Sequence, residues 1–408
     1  HITLKQLYKG KEVYGGGAKV AISRNNVLFR CIETVFSTSG SLGNLPVAVS
    51  QEQILSRFSG VNLIENKAVY LWDGNRLVPG WYASFNHGQN GFNDAAWFAN
   101  GTLYFLRDRL EYAGDSTVTM KIFDPDPITP INKVYGGIYT DQNDENEAVL
   151  NPLRKTVEMK VAFERDTFWL KNDAAEIVEA EFPAWPIENS LFPDFDFSRK
   201  HSGFEQVNAL YHVTTFQNYL QSLGYSLVQY PIRIDAQGWT GQDQSSFNAS
   251  SQPRPLLSFG EGGVDDAEDA DVVVHEYGHA ISHSASPYTN QGDERRSLDE
   301  AAGDYFAVTY KKAEYSFGTD KVFNWDGHNI FWNGRTVNNP SNYNYKTVSG
   351  FNDIYKYTTL WNDAMFDIWT QLGKPYTDKL QIEALYGYMS NMSFRQAALL
   401  VLDADTAL

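Results

Sequence analysis

One segment constrains this chain more than any other: Asp271-Val272-Val273-Val274-His275-Glu276-Tyr277-Gly278-His279-Ala280. It sets two histidines four residues apart, with a glutamate directly after the first, inside an apolar run. On a helix, residues four apart share one face, with β-carbons about 5–6 Å apart. Two imidazoles so placed can converge on one tetrahedral metal ion. Glu276 lies about 100° further round the helix and can reach a water in the open coordination position. With 8 histidines in 408 residues, chance gives ~0.16 such pairs, and ~0.01 once the glutamate is required. The competing reading is two surface histidines on an amphipathic helix. Val272, Val273, Val274, Ala280 and Ile281 argue against it, because they are apolar on several sides. Such a helix is deeply buried, and buried polar groups need partners.

A third ligand is expected downstream. Ser297-Leu298-Asp299-Glu300-Ala301-Ala302-Gly303-Asp304-Tyr305-Phe306 predicts a second helix, capped by Ser297 with Glu300 closing a capping box. Glu300 and Asp304 are again four apart. One can bind the metal while the other accepts the N–H of a ligand histidine and fixes its tautomer. Alone, Glu300 would be read as completing the cap; after the histidine pair, the two carboxylates read as ligand and orienter. The single cysteine, Cys31, rules out a cysteine-cluster zinc site and an intramolecular disulfide, so a zinc site must use histidine and carboxylate.

At about 150 residues per domain the length predicts two or three domains. The composition is globular, 42% hydrophobic and 20% charged. A net charge of −17 argues against binding a nucleic-acid backbone. It favours a soluble, monomeric, secreted protein. No run of eighteen apolar residues predicts a membrane span. The chain starts at His1, which is expected if a signal was removed or a longer precursor precedes it.

The first part reads as strands: Ile2–Leu7, a turn at Lys9-Gly10-Lys11, then Val13-Tyr14 before Gly15-Gly16-Gly17, and Ala18–Ser23 ending at a turn over Arg24-Asn25-Asn26. Ser50–Leu55 predicts a short capped helix. Strand patterns return at Val69–Trp72, Trp81–Phe85 and Thr102–Phe105. Asp124-Pro125-Asp126-Pro127-Ile128-Thr129-Pro130 reads as a linker, since three prolines cannot sit in a central strand or helix. Residues 135–200 read as strand and loop. A helix is predicted over 202–223, capped by Ser202, with Phe204, Val207, Leu210, Tyr211 and Leu220 on its buried side. From 269 the pattern is helical.

These residues carry a family resemblance. The catalytic half resembles the gluzincin metallopeptidases, the thermolysin and fungalysin group, and most closely secreted bacterial fungalysin-like enzymes. The matching stretches are Phe259-Gly260-Glu261-Gly262, the acidic lead-in Asp265 to Asp271, His275 to His279, and Glu300 to Asp304. Tyr8-Lys9-Gly10-Lys11-Glu12-Val13-Tyr14-Gly15-Gly16 resembles the fungalysin/thermolysin propeptide, and residues 51–120 resemble its PepSY-type segment. The resemblance covers nearly the whole chain. It implies an α+β fold with a β-rich propeptide over 1–120, then a thermolysin-like two-lobe catalytic domain: a β-rich lobe over 121–268 and a helical lobe over 269–408, with a zinc-binding helix in the cleft. It implies a secreted, extracellular zinc metalloendopeptidase in zymogen form, its propeptide an intramolecular inhibitor and its substrate a protein or peptide. One Zn2+ would be held by His275, His279 and Glu300, with Glu276 as general base and Asp304 orienting a ligand histidine. Ser245, Ser246 and Phe247, within Gln244–Asn248, would form an edge strand pairing with substrate backbone; an ordinary polar loop is the alternative. Arg335 matches an arginine that binds a substrate carbonyl; the alternative is an exposed surface arginine.

Two positions depart from the family pattern. Where the family has an oxyanion-stabilising histidine, this chain has Tyr355, whose hydroxyl donates a hydrogen bond but stays neutral at pH 7. Loss of one oxyanion donor costs about 10²–10³ in kcat, so a zinc-binding pseudopeptidase is the alternative reading. A non-catalytic adhesion protein with an incidental motif is the third. Asp271 matches a calcium ligand, but the expected acidic partner is Lys311, so no calcium site is predicted. The acidic run Asp265, Asp266, Glu268, Asp269 and Asp271 is read as charge complementing a helix N-terminus. His212 is read as a hydrogen-bonded packing residue. His283 extends the histidine row without serving as a ligand, and His328 is expected in a turn, as a candidate to line the cleft.

Overall fold

The computed structural model describes residues 2–22, 28–34, 61–73, 76–87, 91–99, 103–108, 114–164, 167–338, 344–346 and 354–408. The chain is α+β. It divides into two compact units, His1–Ser116 with Ala162–Phe168, and Thr117–Val161 with Trp169–Leu408.

The first unit is built on strands β1 (Ile2–Tyr8), β2 (Lys11–Ile22), β3 (Leu28–Thr34), β4 (Val61–Trp72), β5 (Leu77–His87), β6 (Gly91–Phe98) and β7 (Leu103–Asp108). They form one sheet in the order β1-β2-β4-β5-β6-β7, with β3 also on β2. The strand period of two sends Tyr82 and Ala96 to the side of Val69 and Leu71, and Ala83, Phe85, Ala95 and Trp97 to the other. The glycine triplet Gly15-Gly16-Gly17 does not break β2 as the sequence suggested; Gly17 pairs with Lys5 on one side and Thr34 on the other. The expected helix at Ser50–Leu55 and the turn at 24–26 lie outside the described residues.

Strands β8 (Gly114–Ile122) and β9 (Lys155–Glu164), most of whose residues fall in the second unit, belong to a five-stranded sheet. The proline-rich run that follows β8 is not a linker. Asp126, Ile128 and Thr129 are buried. Asp126 Oδ1 accepts from the backbone N–H of Ile128 and of Thr129, both at 2.7 Å, and Oδ2 accepts from Thr129 Oγ1 at 2.5 Å. The prolines stiffen a loop whose polar groups are bonded internally, which lets it enter the core.

A second sheet carries the site. β10 (Ala175–Ile177), β11 (Ile232–Asp235) and β13 (Leu256–Phe259) run parallel, and β12 (Ser245–Asn248) lies antiparallel on β13 as the edge strand. Helix α1 (Gly203–Ser222) buries Phe204, Val207, Leu210, Val213, Phe216 and Leu220, and Tyr211 is half-buried. Ser202 makes no side-chain cap to it. His212, on α1, satisfies both ring nitrogens, with Tyr310 Oη at 2.9 Å and the Phe123 carbonyl at 2.8 Å.

Then come α2 (Ala270–Ala285) and α3 (Asp293–Lys312), a short pair of strands β14 (Lys321–Val322) and β15 (Arg335–Thr336), and helices α4 (Ile354–Leu372), α5 (Lys374–Tyr386) and α6 (Phe394–Ala407). Helix α3 starts one turn earlier than the capping-box reading placed it. Ser297 is inside the helix, its hydroxyl donating to the Asp293 carbonyl at 3.1 Å. Among the described residues no helix is long and apolar enough to cross a membrane.

Candidate metal centre

Helix α2 starts from a true cap. Asp269 Oδ1 accepts from the backbone N–H of Asp271 at 2.9 Å, and Oδ2 accepts from Trp325 and Asp326 N–H at 2.9 and 3.0 Å. The rest of the acidic lead-in is not simply helix-end charge. Glu268 takes a two-pronged bond from buried Arg199, at 2.8 and 2.6 Å. Asp271 pairs with Lys311, both side chains fully buried. Lys311 Nζ also donates to the Lys321 carbonyl at 2.6 Å, and Asp271 accepts from Phe323 N–H at 3.1 Å. The lysine thus fills the position where a cation would otherwise sit beside Asp271.

Two helices cross tightly behind the histidines, and glycine makes this possible. A β-carbon added at Gly278 would meet the Gly303 Cα at 2.9 Å, and one added at Gly303 would meet His275 Nδ1 at 2.7 Å. The close approach brings His275 and His279 of α2 against Glu300 of α3. The two Nε2 atoms stand 3.2 Å apart. Glu300 presents Oε2 at 3.4 Å from His275 Nε2 and Oε1 at 3.8 Å from His279 Nε2. Tetrahedral zinc with bonds of about 2.0–2.1 Å has ligand–ligand edges of about 3.3 Å, so this triangle has the right size.

The outer faces of the rings explain why lone pairs point inward. His279 Nδ1 donates to Asp299 Oδ2 at 2.7 Å. Asp304 Oδ1 lies 2.9 Å from His275 Nδ1, close enough for charge attraction though not aligned as a hydrogen bond. Carboxylates on both Nδ1 atoms leave both Nε2 atoms as acceptors facing each other. Such a pair is unfavourable unless a cation or proton lies between them. The electrostatics agree. Burial opposes a charged His279, but Asp299, Glu300 and Glu276 outweigh it and hold the group up to about 10. Burial likewise opposes a charged His275, and Asp304 and Glu300 outweigh it there. Asp299 and Asp304 resist burial in turn: His279 and Arg295 hold the first well below the carboxylate range, Arg335 and His275 the second.

Glu276 is buried, and its Oε1 accepts from Ser245 Oγ on edge strand β12 at 2.8 Å. His275, Glu276 and His279 also bring ligand atoms within 4.8 Å of one another. The bond to Ser245 draws Glu276 toward the strand, whereas Glu300 spans both imidazoles. These groups line a cavity of about 770 Å³ together with Ser246, Phe247, Arg335 and Tyr355. Arg335 is no loose surface arginine: Nε and Nη2 clamp Asp304 at 2.8 and 2.6 Å, and its guanidinium lies 4.7 Å from the Tyr355 ring. Burial and Glu300 push the Tyr355 phenol up to about 12 against the pull of Arg335. The sequence-predicted residues thus gather in one cavity, Asp304 lying behind it. His328 is not among the lining residues; its Nε2 bonds the Arg335 carbonyl at 2.9 Å. His283 packs against Phe247 and Tyr288.

Asp299 was missed by sequence reasoning. It also accepts from Ser282 Oγ at 2.5 Å, Asn290 at 3.0 Å and Arg295 at 2.9 Å. The Arg295/Asp299 spacing of four was the available signal.

No family model matches the chain, and no curated protein matches its sequence.

Proposed function

We propose that this chain is a zinc-dependent metalloendopeptidase of the gluzincin kind, secreted with residues 1–120 serving as an intramolecular inhibitor. One observation carries the reading: three ligand atoms converge from His275, His279 and Glu300 in a cavity where Glu276 is tied to a sheet edge. When bound there, zinc would polarise a carbonyl and acidify a water. The remaining chemistry falls to the chain's own residues. Among the described residues strand β12 pairs along one edge only, and its other edge can take up an extended peptide by backbone pairing. Glu276, oriented by Ser245, accepts the proton of the attacking water and returns it to the leaving amine. Arg335 uses Nε and Nη2 on Asp304 and keeps Nη1 for a substrate carbonyl. Tyr355 Oη, neutral at physiological pH, would donate to the developing oxyanion.

The test is metal content after zinc loading, followed by casein and peptide-library hydrolysis by the mature form, freed of the inhibitory segment, with and without a chelator. One zinc per chain and chelator-sensitive cleavage are expected. Glu276→Gln should keep the metal and abolish hydrolysis. Zinc without any hydrolysis would favour the pseudopeptidase, for which the exchange of histidine for Tyr355 is the specific ground. No zinc after loading would sink both.

A further inference from the structure

We propose that the acidic end of the same cavity, formed by Asp243, Asp266 and Asp326, is a recognition pocket for a lysine or arginine side chain of the bound peptide. The proposal rests on the peptidase reading and adds the substrate class. The three carboxylates bring oxygens within 4.8 Å of one another. Asp266 and Asp326 are 2% and 4% exposed, and Asp243 is less buried. Oδ1 of Asp326 has no hydrogen-bond partner in the protein. Asp266 receives one long contact, from Gly260 N–H at 3.4 Å. Asp243 is seated against a glycine turn. Gly263 has φ 77°, a left-handed conformation, and a β-carbon there would come within 2.7 Å of Asp243 Oδ2.

The neighbouring cations are engaged elsewhere, Lys311 by Asp271 and Arg335 by Asp304. Among the described residues no ion pair reaches the three carboxylates. Burial raises both Asp266 and Asp326 well above the usual range, followed by Asp326 and Asp243 for the first and by Asp269 and Asp243 for the second. The Trp332 side chain hydrogen-bonds the Asp326 carboxylate, and a cation entering from outside relieves the repulsion and gives Asp326 Oδ1 a partner. The cavity favours a side chain as that cation. The cluster shares one space with Glu276 and the metal-centre residues, and Trp332 and Phe323 supply aromatic wall for a guanidinium plane or an alkyl stem. Calcium would need about six to eight oxygen ligands.

The experiment titrates the full chain with N-acetylargininamide, N-acetyllysinamide and the neutral isostere N-acetylcitrullinamide, read by NMR. The arginine and lysine compounds should bind at least about tenfold more tightly than citrulline. In the Asp266→Asn/Asp326→Asn variant that gap should close. Asparagine keeps the shape and removes repulsion, so the variant should melt no lower than the parent. If it does not fold, Asp243→Asn must narrow the gap by about threefold or more. Equal binding of arginine and citrulline overturns the proposal, as does a preference that survives the carboxylate substitutions. Millimolar calcium that binds the cluster and excludes the arginine compound makes it a metal site and overturns it too. The readout is binding. A cation preference in a chain whose mature form binds no zinc and hydrolyses nothing therefore keeps the pocket and removes the peptidase reading. Hydrolysis without that preference does the reverse.

Discussion

Replacing Gly303 by alanine sets two effects of opposite sign against each other at the metal centre. In an exposed helix the change would stabilise by about 1 kcal/mol, because glycine is the poorer helix former. Here the new methyl would stand 2.7 Å from His275 Nδ1 and 2.8 Å from Cε1. An unstrained contact is about 3.5 Å, so the ring must retreat by about 0.8 Å. It has little room: Asp304 lies beside Nδ1 and Phe323 packs edge-on with ring centroids 5.3 Å apart. Overpacking of this kind costs about 1–3 kcal/mol, leaving a net destabilisation of about 0–2 kcal/mol. The effect on the metal should be larger in proportion. Sites of this kind tolerate about 0.5 Å of misplacement, and disturbing a ligand's supporting contacts typically weakens metal binding about 10–100-fold. Zinc affinity by competition with a chromogenic chelator and stability by thermal unfolding are both read on the same protein. A variant that melts higher and binds zinc as tightly as the parent would refute the crowding argument.

Asp299→Asn keeps the side-chain volume but removes the charge behind His279, and should weaken zinc binding about 10–100-fold in the same chelator assay. Lys311→Met leaves Asp271 buried without its counter-charge, keeping only the Phe323 N–H, and should cost about 3–5 kcal/mol in denaturant unfolding; adding Asp271→Leu should recover most of it, and a single variant costing under about 1 kcal/mol would contradict the pair's role. Tyr355→Phe should lower kcat by about 10²–10³ if its hydroxyl meets the oxyanion, and unchanged turnover would remove it from the mechanism.

The centre was legible in the sequence because its geometry is local. His275, Glu276 and His279 lie on one helix, and Glu300 and Asp304 on the next, where the spacing of four reports a shared face. What joins the two helices was not legible. Gly278 and Gly303 look like weak points in a helix until the crossing is seen, and only then does the missing β-carbon explain why His275 reaches Glu300. The proline run after β8 misled for a related reason: proline forbids regular structure but does not forbid burial when Asp126 supplies the hydrogen bonds. The capping box failed because Ser297 with Glu300 matches a pattern that also occurs inside a helix, and the Ser297 hydroxyl bonds backward to Asp293. The acidic lead-in was read as one group of charges, whereas the fold gives Glu268, Asp269 and Asp271 different partners and leaves Asp266 facing the cavity.

That separation of partners bears on how the cavity works. Among the described residues seven carboxylates lie close to the two histidines and Arg335: Asp243, Asp266, Glu276, Asp299, Glu300 and Asp326 line the cavity, and Asp304 lies behind it. Its own cations are committed: Arg295 to Asp299, Arg335 to Asp304, Lys311 to Asp271. Each of those bonds orients a carboxylate without neutralising the centre, since the histidines between them are still drawn toward the charged form. The fold therefore holds a deficit of positive charge in two adjoining places, one bounded by Nε2 atoms and Glu300, the other by carboxylates alone. The first has the donor set and edge lengths of a small divalent ion. The second has oxygens only, an aromatic wall and more space, which suits an organic cation. A cavity so divided would bind a metal at one end and sort its substrates by charge at the other.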